Sequence, residues 1–379
     1  MKSTGLICEY NPFHNGHLYH LNKAKELDKD AIIIVVLGGN FLERGNISIL
    51  DKYTKAELAL EYGADLVVEL PFPFSTQSAD IFARGSIEIL KILKCQKLVF
   101  GSESNNIDML YSMANTQLNS KEYDKLIKKY LNNGINYPTA LSKALEDLNK
   151  EKITSPNDLL GLSYIREIIR QKTNIEPLTI KRTNDYHDKE TQGEISSATS
   201  IRQLLNNGID IKNFVPELTN TKLKDYKNYE YNYFKYLKYK IISEDKEIKK
   251  YQTVDEGIEN RILKYINESS TLEELINNIK TKRYTYNKIS RMLTHILCNF
   301  TKIDAKNNQS IKYIRVLGFN KKGQAYLNSI KKELTIPLIT KLDKKSRLLT
   351  EIDNKVDSIY SLITENNYKN KLIKKENDL

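Results

Sequence analysis

The first 100 residues alternate between short apolar runs and helix-forming segments, and this alternation restricts the fold more than any other feature of the chain. Ala31 to Leu37 reads AIIIVVL and Asp65 to Leu70 reads DLVVEL, runs of the kind found inside parallel sheets. Shorter runs occupy Gly5 to Tyr10 and Lys97 to Phe100. Strands that alternate with helices predict an α/β fold with a doubly wound parallel sheet, whose ligands bind at the carboxyl ends of the strands.

The alternation continues to about residue 210 and then stops. Helices are predicted at about 16–27, 51–63 and 78–93, and 107–171 is predicted to be mostly helical. Leu178 to Arg182 predicts a fifth strand, and Ile195 to Leu205 a further helix. Beyond Phe214 the pattern indicates polar helices, as in 220–250, 257–280 and 345–375.

Charge divides the chain at the same place. The whole chain has a formal charge of +11, yet residues 1–210 carry a net −2 and residues 211–379 a net +13. We therefore predict two regions, 1–210 and a basic, mainly helical 211–379 that attracts a polyanion such as RNA. The alternative is that lysine is merely abundant in this chain. If the regions are separable, a fragment ending near Asn207 loses RNA binding and keeps some ligand binding.

Several classes of protein are disfavoured by composition. No window holds 18 apolar residues without charge, as a membrane helix needs, and the N-terminus lacks a signal-peptide pattern. Three scattered cysteines, Cys8, Cys95 and Cys298, favour neither a disulfide framework nor a cysteine-based zinc site. A cytoplasmic protein without a structural metal is expected.

Three of the five histidines lie directly after the first predicted strand. The segment CEYNPFHNGHLYHL places His14 and His17 around Asn15-Gly16, where a strand leads into a helix. Helix N-termini favour anions, and imidazoles donate hydrogen bonds to phosphate oxygens. The alternatives are incidental histidines or a zinc site with His20, although the spacing does not place all three rings on one helix face.

At this point the chain resembles a known family. HNGH matches the HxGH motif of the nucleotidyltransferase superfamily, whose fold is Rossmann-like. The longer segments EYNPFHNGHLYHL, GGNFLERG, KAELALEYGADLVVELPF and ISSATSIR are similar to those of the bacterial tRNA(Met) cytidine acetate ligases. The resemblance covers most of residues 1–210. It identifies that region as an ATP-binding catalytic domain and leaves 211–379 as the tRNA-binding region.

The resemblance implies a reaction in two steps. Acetate is activated by ATP, normally supplied as Mg-ATP, to acetyl-adenylate, and the acetyl group then passes to N4 of the wobble cytidine of elongator tRNA(Met). Two alternatives remain open on sequence alone: a small-molecule adenylyltransferase of the same fold, and an RNA-binding protein with a vestigial nucleotide site.

The resemblance also implies the site residues. His14, His17 and Arg202 are expected to be catalytic, and Arg44 is a further candidate for acetate or RNA. The expected ATP contacts are Ile7, Cys8, Glu9, Tyr10, Asn11, Pro12, Phe13, His14, Asn15, Gly16, His17, Leu18, Tyr19, His20, Gly101, Asn157, Arg182, Ser197 and Thr199. Ordinary alternatives exist for four of them: a turn glycine for Gly101, a helix cap for Asn157, an exposed arginine for Arg182, and helix capping by Ser196 or Ser197.

One segment of the second half is a candidate RNA contact. Asp225 to Lys240, DYKNYEYNYFKYLKYK, interleaves tyrosines with lysines. Tyrosines such as Tyr233 and Tyr236 would stack on bases, while lysines such as Lys235 contact phosphates. The alternative is an amphipathic helix that buries a tyrosine-rich face.

Overall fold

A single eight-stranded sheet organises the protein. The computed structural model describes residues 1–149, 153, 155–182, 196–366 and 372–375. The strands follow the order β5-β4-β1-β2-β3-β6-β7, with β8 paired to β6. Their bounds are β1 Ser3–Cys8, β2 Ile32–Gly38, β3 Leu66–Leu70, β4 Lys97–Ser102, β5 Glu176–Lys181, β6 Ile314–Phe319, β7 Leu338–Ile339 and β8 Ile373–Lys374.

Helices cover both faces of this sheet and build most of the second half. Their bounds are α1 Asn15–Leu27, α2 Lys52–Glu61, α3 Phe72–Ser75, α4 Ala79–Ile92, α5 Ile107–Asn119, α6 Lys121–Asn132, α7 Tyr137–Asn149, α8 Pro156–Arg170, α9 Ala198–Asn206, α10 Glu217–Lys222, α11 Glu230–Glu244, α12 Ile258–Ile266, α13 Leu272–Ile279, α14 Tyr286–Leu297, α15 Lys302–Asn307, α16 Lys321–Ile330, α17 Lys344–Leu349 and α18 Glu351–Thr364. The predicted doubly wound α/β fold is confirmed, because β1 to β5 are mutually parallel and joined by helices.

The strand order opens a crevice beside β1. The chain runs outward from β1 in both directions, so β1 and β4 flank the point where the order reverses. β1 pairs with β2 along all six of its residues, but with β4 only at Thr4 and Gly5. The carboxyl ends of β1 and β4 are therefore not joined, and a ligand site is expected between them.

The second half contributes to the same sheet, which the sequence did not predict. β6 runs antiparallel to β3 and also pairs with β7 and β8. The division at residue 210 stays a prediction about function, since strands from both sides of that boundary form one sheet.

A buried ionic cluster joins the two halves. The Lys52 ammonium lies 2.6 Å from a Glu69 carboxylate oxygen and 2.7 Å from one of Asp357. Arg315, on β6, lies 3.4 Å from carboxylate oxygens of both acids. All four residues are buried, so each charge depends on partners supplied by the other half of the chain.

The tyrosine-rich segment forms α11, and its inner face lies in the core. Tyr233 is 1% exposed, and its hydroxyl lies 2.8 Å from that of Thr294 on α14. Tyr233 is therefore a core residue, as the alternative interpretation of this segment had it. Among the described residues, no helix combines the length and the apolar character needed to cross a membrane.

Candidate active site

The crevice beside β1 contains a cavity of about 390 Å³ that collects most of the predicted site residues. Those on its wall are Ile7, Cys8, Glu9, Tyr10, Asn11, His14, His17, His20, Arg44, Gly101, Asn157, Arg182, Ser197, Thr199 and Arg202. They come from the carboxyl ends of β1, β2, β4 and β5 and from the first turns of α1, α8 and α9, elements that are spread over the first 202 residues. The fold thus brings together residues that the sequence could group only by resemblance.

Six residues of the predicted ATP segment are not on the cavity wall. They are Pro12, Phe13, Asn15, Gly16, Leu18 and Tyr19. Phe13 is fully buried and stacks on Tyr62, with ring centroids 5.2 Å apart. Phe13 therefore packs in the core, which explains why this segment contains an aromatic residue that does not line the cavity. Ile195, the first residue of the predicted ISSATSIR segment, lies outside the described residues.

His14 and His17 form a reciprocal cap on helix α1. The His14 Nδ1 accepts a hydrogen bond from the Gly16 N–H at 3.0 Å, and the His17 Nδ1 accepts one from the His14 N–H at 3.3 Å. The two rings stack with centroids 3.7 Å apart. Because each Nδ1 is an acceptor, a neutral ring carries its proton on Nε2. Both imidazoles are therefore set to donate from Nε2.

The environment keeps these rings neutral. Burial, reinforced by Arg182 and Arg202, lowers the pKa of His14 to about 3. Burial and the neighbouring histidines hold the pKa of His17 well below its usual value. A neutral pair costs less to bury than two imidazolium ions, and it still offers hydrogen-bond donors to a phosphate.

The backbone of the first helical turn does not offer free donors. The Asn15 N–H donates to the Phe214 carbonyl at 3.0 Å, and those of His17 and Leu18 donate to the His14 carbonyl. The Gly16 N–H donates to His14, so all four N–H groups of the first turn have hydrogen-bond acceptors within the protein. These hydrogen bonds occupy the backbone donors that the sequence predicted would face an anion, whereas the imidazole Nε2–H groups remain as donors on the cavity wall.

His20 contacts the end of β4, and Lys55 joins the ends of β1 and β2. The His20 Nε2 lies 3.2 Å from the Val99 carbonyl on β4, at a level where β1 no longer pairs with that strand. The Lys55 ammonium, fully buried, donates to the carbonyls of Glu9, Gly38 and Gly39 at 2.7–2.9 Å. Sequence reasoning missed Lys55, because a lysine on a helix ordinarily faces water.

The wall opposite the histidines is built on β4 and β5. Gly101 lies within β4, so it is not a turn glycine; a Cβ there would lie 3.1 Å from the Arg182 side chain. The Arg182 guanidinium donates to the Asn157 amide oxygen at 3.4 Å and lies 3.9 Å from a Glu103 carboxylate oxygen. Ser155, and not Asn157, is the N-cap residue of α8. Asn157 lies on the cavity wall, where its amide nitrogen donates to the Glu103 carboxylate at 2.5 Å.

The third wall is the start of α9. Ser197 is its N-cap and accepts from the Ser200 N–H at 3.1 Å, as the capping alternative predicted. Arg202 donates to the Asn11 carbonyl at 2.7 Å and to the Thr199 hydroxyl at 3.2 Å. These bonds fix the guanidinium against the loop that carries the histidines. Its charge therefore lies close enough to His14 to help keep that imidazole neutral.

The β2–α2 loop, residues 39–51, closes the cavity with Arg44 and Glu43. The Glu9 carboxylate accepts from the Glu43 N–H at 2.7 Å, which ties this loop to the end of β1. Burial raises the pKa of Glu43 to about 7, and Arg291, 3.3 Å away, opposes that rise. Arg291 belongs to α14, so the loop is in contact with the second half.

Other contacts fasten the same loop to helices of the second half. The Thr294 hydroxyl donates to the Gly45 carbonyl at 2.6 Å, and the Tyr360 hydroxyl donates to the Ser48 carbonyl at 3.0 Å. Gly45 has a φ of +83°, and a Cβ there would lie 2.4 Å from the Arg291 backbone nitrogen. The loop therefore packs directly on the backbone of α14.

Replacing Gly45 with alanine tests this attachment. We expect Gly45→Ala to lower the free energy of unfolding by about 1–2 kcal/mol for the left-handed backbone and about 1–3 kcal/mol more for the steric conflict with α14. ATP affinity, measured by calorimetry, should fall as well. Gly134→Ala is the matched control, since Gly134 has a φ of +77° with nothing within 4 Å of its Cβ position. Equal effects of the two substitutions on stability and ATP affinity would contradict the packing argument.

A metal site and a second cavity are the other candidates for ligand binding among the described residues. In the parts of the chain that the structure describes, no three His, Cys, Asp or Glu side chains are grouped to hold a metal ion. A second cavity of about 260 Å³, lined by residues including Lys25, Asp65 and Lys322, opens at the amino ends of β2 and β3. Parallel sheets bind ligands at the opposite edge.

Comparison with protein families gives a match along nearly the whole chain. The model of the HIGH Nucleotidyl Transferase family matches residues 1–376. A protein of Geobacillus sp. (strain WCH70) called tRNA(Met) cytidine acetate ligase is 38% identical over an alignment of 393 residues, covering 99% of this chain and 98% of the relative. A Bacillus subtilis (strain 168) protein of the same name is 39% identical, covering 96% and 93%.

Solved structures give the same result. The crystal structure of Thermotoga maritima TmcAL bound with alpha-thio ATP superposes with a TM-score of 0.87 at 29% identity, covering 99% of this chain and 100% of that one. Its apo form gives a TM-score of 0.88. The similarity therefore includes the second half as well as the sheet.

Proposed function

The chain belongs to the HIGH nucleotidyl transferase family and, within it, to the tRNA(Met) cytidine acetate ligases, and from this membership we propose that it uses ATP to acetylate a cytidine of tRNA. The resemblance identified in the sequence is confirmed. The observation that supports the reaction best is the cavity itself, where two neutral imidazoles and three arginines lie at the reversal point of a parallel sheet.

In the first step, acetate attacks the α-phosphorus of ATP. A carboxylate oxygen forms a bond to phosphorus as the bond to the β-phosphate oxygen breaks, giving acetyl-adenylate and pyrophosphate. The negative charge that gathers on pyrophosphate needs donors and cations held in place beforehand. The Nε2–H groups of His14 and His17, with Arg202 fixed by the Asn11 carbonyl, provide them.

In the second step, the N4 amine of the cytidine attacks the acetyl carbonyl. A C–N bond forms, AMP leaves with the carboxyl oxygen, and the amine loses one proton. No covalent enzyme intermediate is needed, so positioning supplies most of the rate. We assign Gly101, Asn157 and Arg182 to the nucleoside side of ATP, and Ser197 and Thr199 to its phosphates. Arg44 stays a candidate for acetate or the RNA backbone.

The basic second half would hold the tRNA. Its net charge of +13 matches a polyanion, whereas the first half carries −2. ATP would enter with magnesium, because Mg²⁺ keeps several waters and binds substrate phosphates in preference to cages made wholly of protein. We place the reaction in the cytoplasm, where tRNA and ATP are found together.

The test is incubation of the purified chain with ATP, radiolabelled acetate and bulk tRNA, followed by nuclease digestion and nucleoside analysis. We expect label in N4-acetylcytidine from tRNA(Met), and acetate-dependent ATP–pyrophosphate exchange without tRNA. Exchange without transfer to RNA would limit the chain to adenylate formation. Absence of both activities would refute the proposal and favour an RNA-binding protein with a vestigial site.

A further inference from the structure

The outer face of α11 carries an exposed aromatic stripe that the reaction described above does not use. Tyr231 is 75% exposed and Tyr239 is 73% exposed, and Ile242 is 51% exposed. Lys235 lies between the two tyrosines and is exposed as well. We call Tyr231, Lys235, Tyr239 and Ile242 the α11 stripe. Its members recur every three or four residues, so they share one face of the helix.

The opposite face of the helix is fixed in the core. Phe234, Leu237 and Ile241 are buried there together with Tyr233. The Asn232 amide donates to the Ile363 carbonyl at 3.0 Å, which joins α11 to α18. The stripe is therefore presented on a firmly held helix, and its tyrosines are not exposed through loose packing.

We propose that the α11 stripe is a docking surface for an unpaired segment of the tRNA substrate, an inference that rests on the proposed function. The two tyrosines lie eight residues apart, about 12 Å along the helix. Each ring offers a face on which a base stacks, and Lys235 between them meets a phosphate. A lysine at the centre of an exposed aromatic patch is unfavourable for a protein partner, since interface cores are depleted of lysine.

The charge of the segment around α11 and its place in the fold also favour RNA as the occupant of the α11 stripe. Residues 227–244 contain four lysines and two acidic residues, Glu230 and Glu244. The segment that leads into α11 contacts the helix that carries Arg202: the Tyr226 hydroxyl donates to the Asn206 amide oxygen at 2.8 Å, at the end of α9. The start of α11 therefore lies close to the end of α9, the helix whose first turn lines the cavity.

The sequence had suggested other members of this segment. Tyr233 is buried, Lys240 is paired with Glu244, and Lys238 donates to the Ser269 carbonyl at 3.1 Å. Replacing those residues would disturb the fold along with any RNA contact. The stripe residues are the ones whose replacement reports on binding alone.

The test is tRNA affinity, measured by filter binding at several salt concentrations with the full chain. We expect the double variant Tyr231→Ala, Tyr239→Ala to bind at least tenfold more weakly with an unchanged salt slope, because stacking releases no counterions. The corresponding double Phe variant should keep the affinity. Lys235→Gln should flatten the salt slope by about 0.7, the value for one single-stranded phosphate.

Matched controls are Tyr137→Ala, at a tyrosine 54% exposed on α7, and Lys128→Gln on α6. Acetate-dependent ATP–pyrophosphate exchange should be unchanged in every variant. A wild-type chain that acetylates tRNA, with stripe variants that bind tRNA like the controls, would overturn this inference and leave the function standing. Loss of self-association in the alanine variant, with tRNA affinity intact, would assign the stripe to a second copy and likewise overturn it. A wild type that neither binds nor modifies tRNA would overturn both.

Discussion

His14→Ala and His17→Ala are each expected to slow acetyl-adenylate formation by about 10²–10³, the equivalent of about 2.7–4 kcal/mol lost from one preorganised donor. Each substitution removes an Nε2–H at the cavity wall, where burial, reinforced by Arg182, keeps both rings neutral. The measurement is kcat for acetate-dependent ATP–pyrophosphate exchange. A rate within tenfold of wild type for both variants would contradict the role assigned to the pair.

Because His14 also caps helix α1, a control variant is needed that separates loss of stability from loss of exchange activity. His14→Ala also removes the acceptor for the Gly16 N–H, which costs about 0.5–2 kcal/mol of stability. Asparagine caps helices well but ends short of the Nε2 position, so His14→Asn should restore much of the melting temperature without restoring exchange. If His14→Asn also restores the exchange activity, His14 contributes by capping helix α1, and the donor role assigned to its Nε2–H is contradicted.

A fragment ending at Asn207 is expected not to fold, in contrast to the separability suggested by charge. It would lack β6, the antiparallel partner of β3, and it would leave Lys52 and Glu69 without Arg315 and Asp357. Breaking one buried ion pair costs about 3–5 kcal/mol, against a total stability of about 5–15 kcal/mol for a typical protein. Loss of the shared core adds to this cost.

The measurement is thermal unfolding followed by circular dichroism, together with ATP calorimetry. The fragment should show no cooperative transition and no ATP binding, whereas co-expression with residues 208–379 should restore both. A folded 1–207 fragment that binds ATP within tenfold of the full chain would instead establish an independent catalytic domain.

The sequence predicted those parts of the fold that depend on local pattern. β2 and β3 were found because uninterrupted β-branched runs indicate buried parallel strands. β6 was missed because Arg315 interrupts its short apolar run, and only Glu69 and Asp357, far away in the chain, explain a buried arginine there. In the same way, Lys52 and Lys55 look like surface lysines until their distant partners are known.

For the candidate site, the resemblance to a known family indicated which residues belong to it. The hydrogen bonds that join those residues became known only from the structure. Nothing in the sequence indicates that Arg202 bonds the Asn11 carbonyl, or that the histidines cap their own helix. Arg291 and Thr294 could not be associated with the cavity at all, because they reach it through the β2–α2 loop.

The attachment of the β2–α2 loop to α18 has a consequence for synthesis on the ribosome. Asn40 donates to the Asp357 carboxylate at 3.0 Å, although the two residues are 317 positions apart. At about 5–20 residues per second, translation separates their appearance by on the order of tens of seconds. Throughout that interval the nascent chain exposes the edge of β3 and a loop without its anchors. The chain therefore acquires this pocket only after α18 has been synthesised, and we expect chaperones that shield strand edges to associate with it until then.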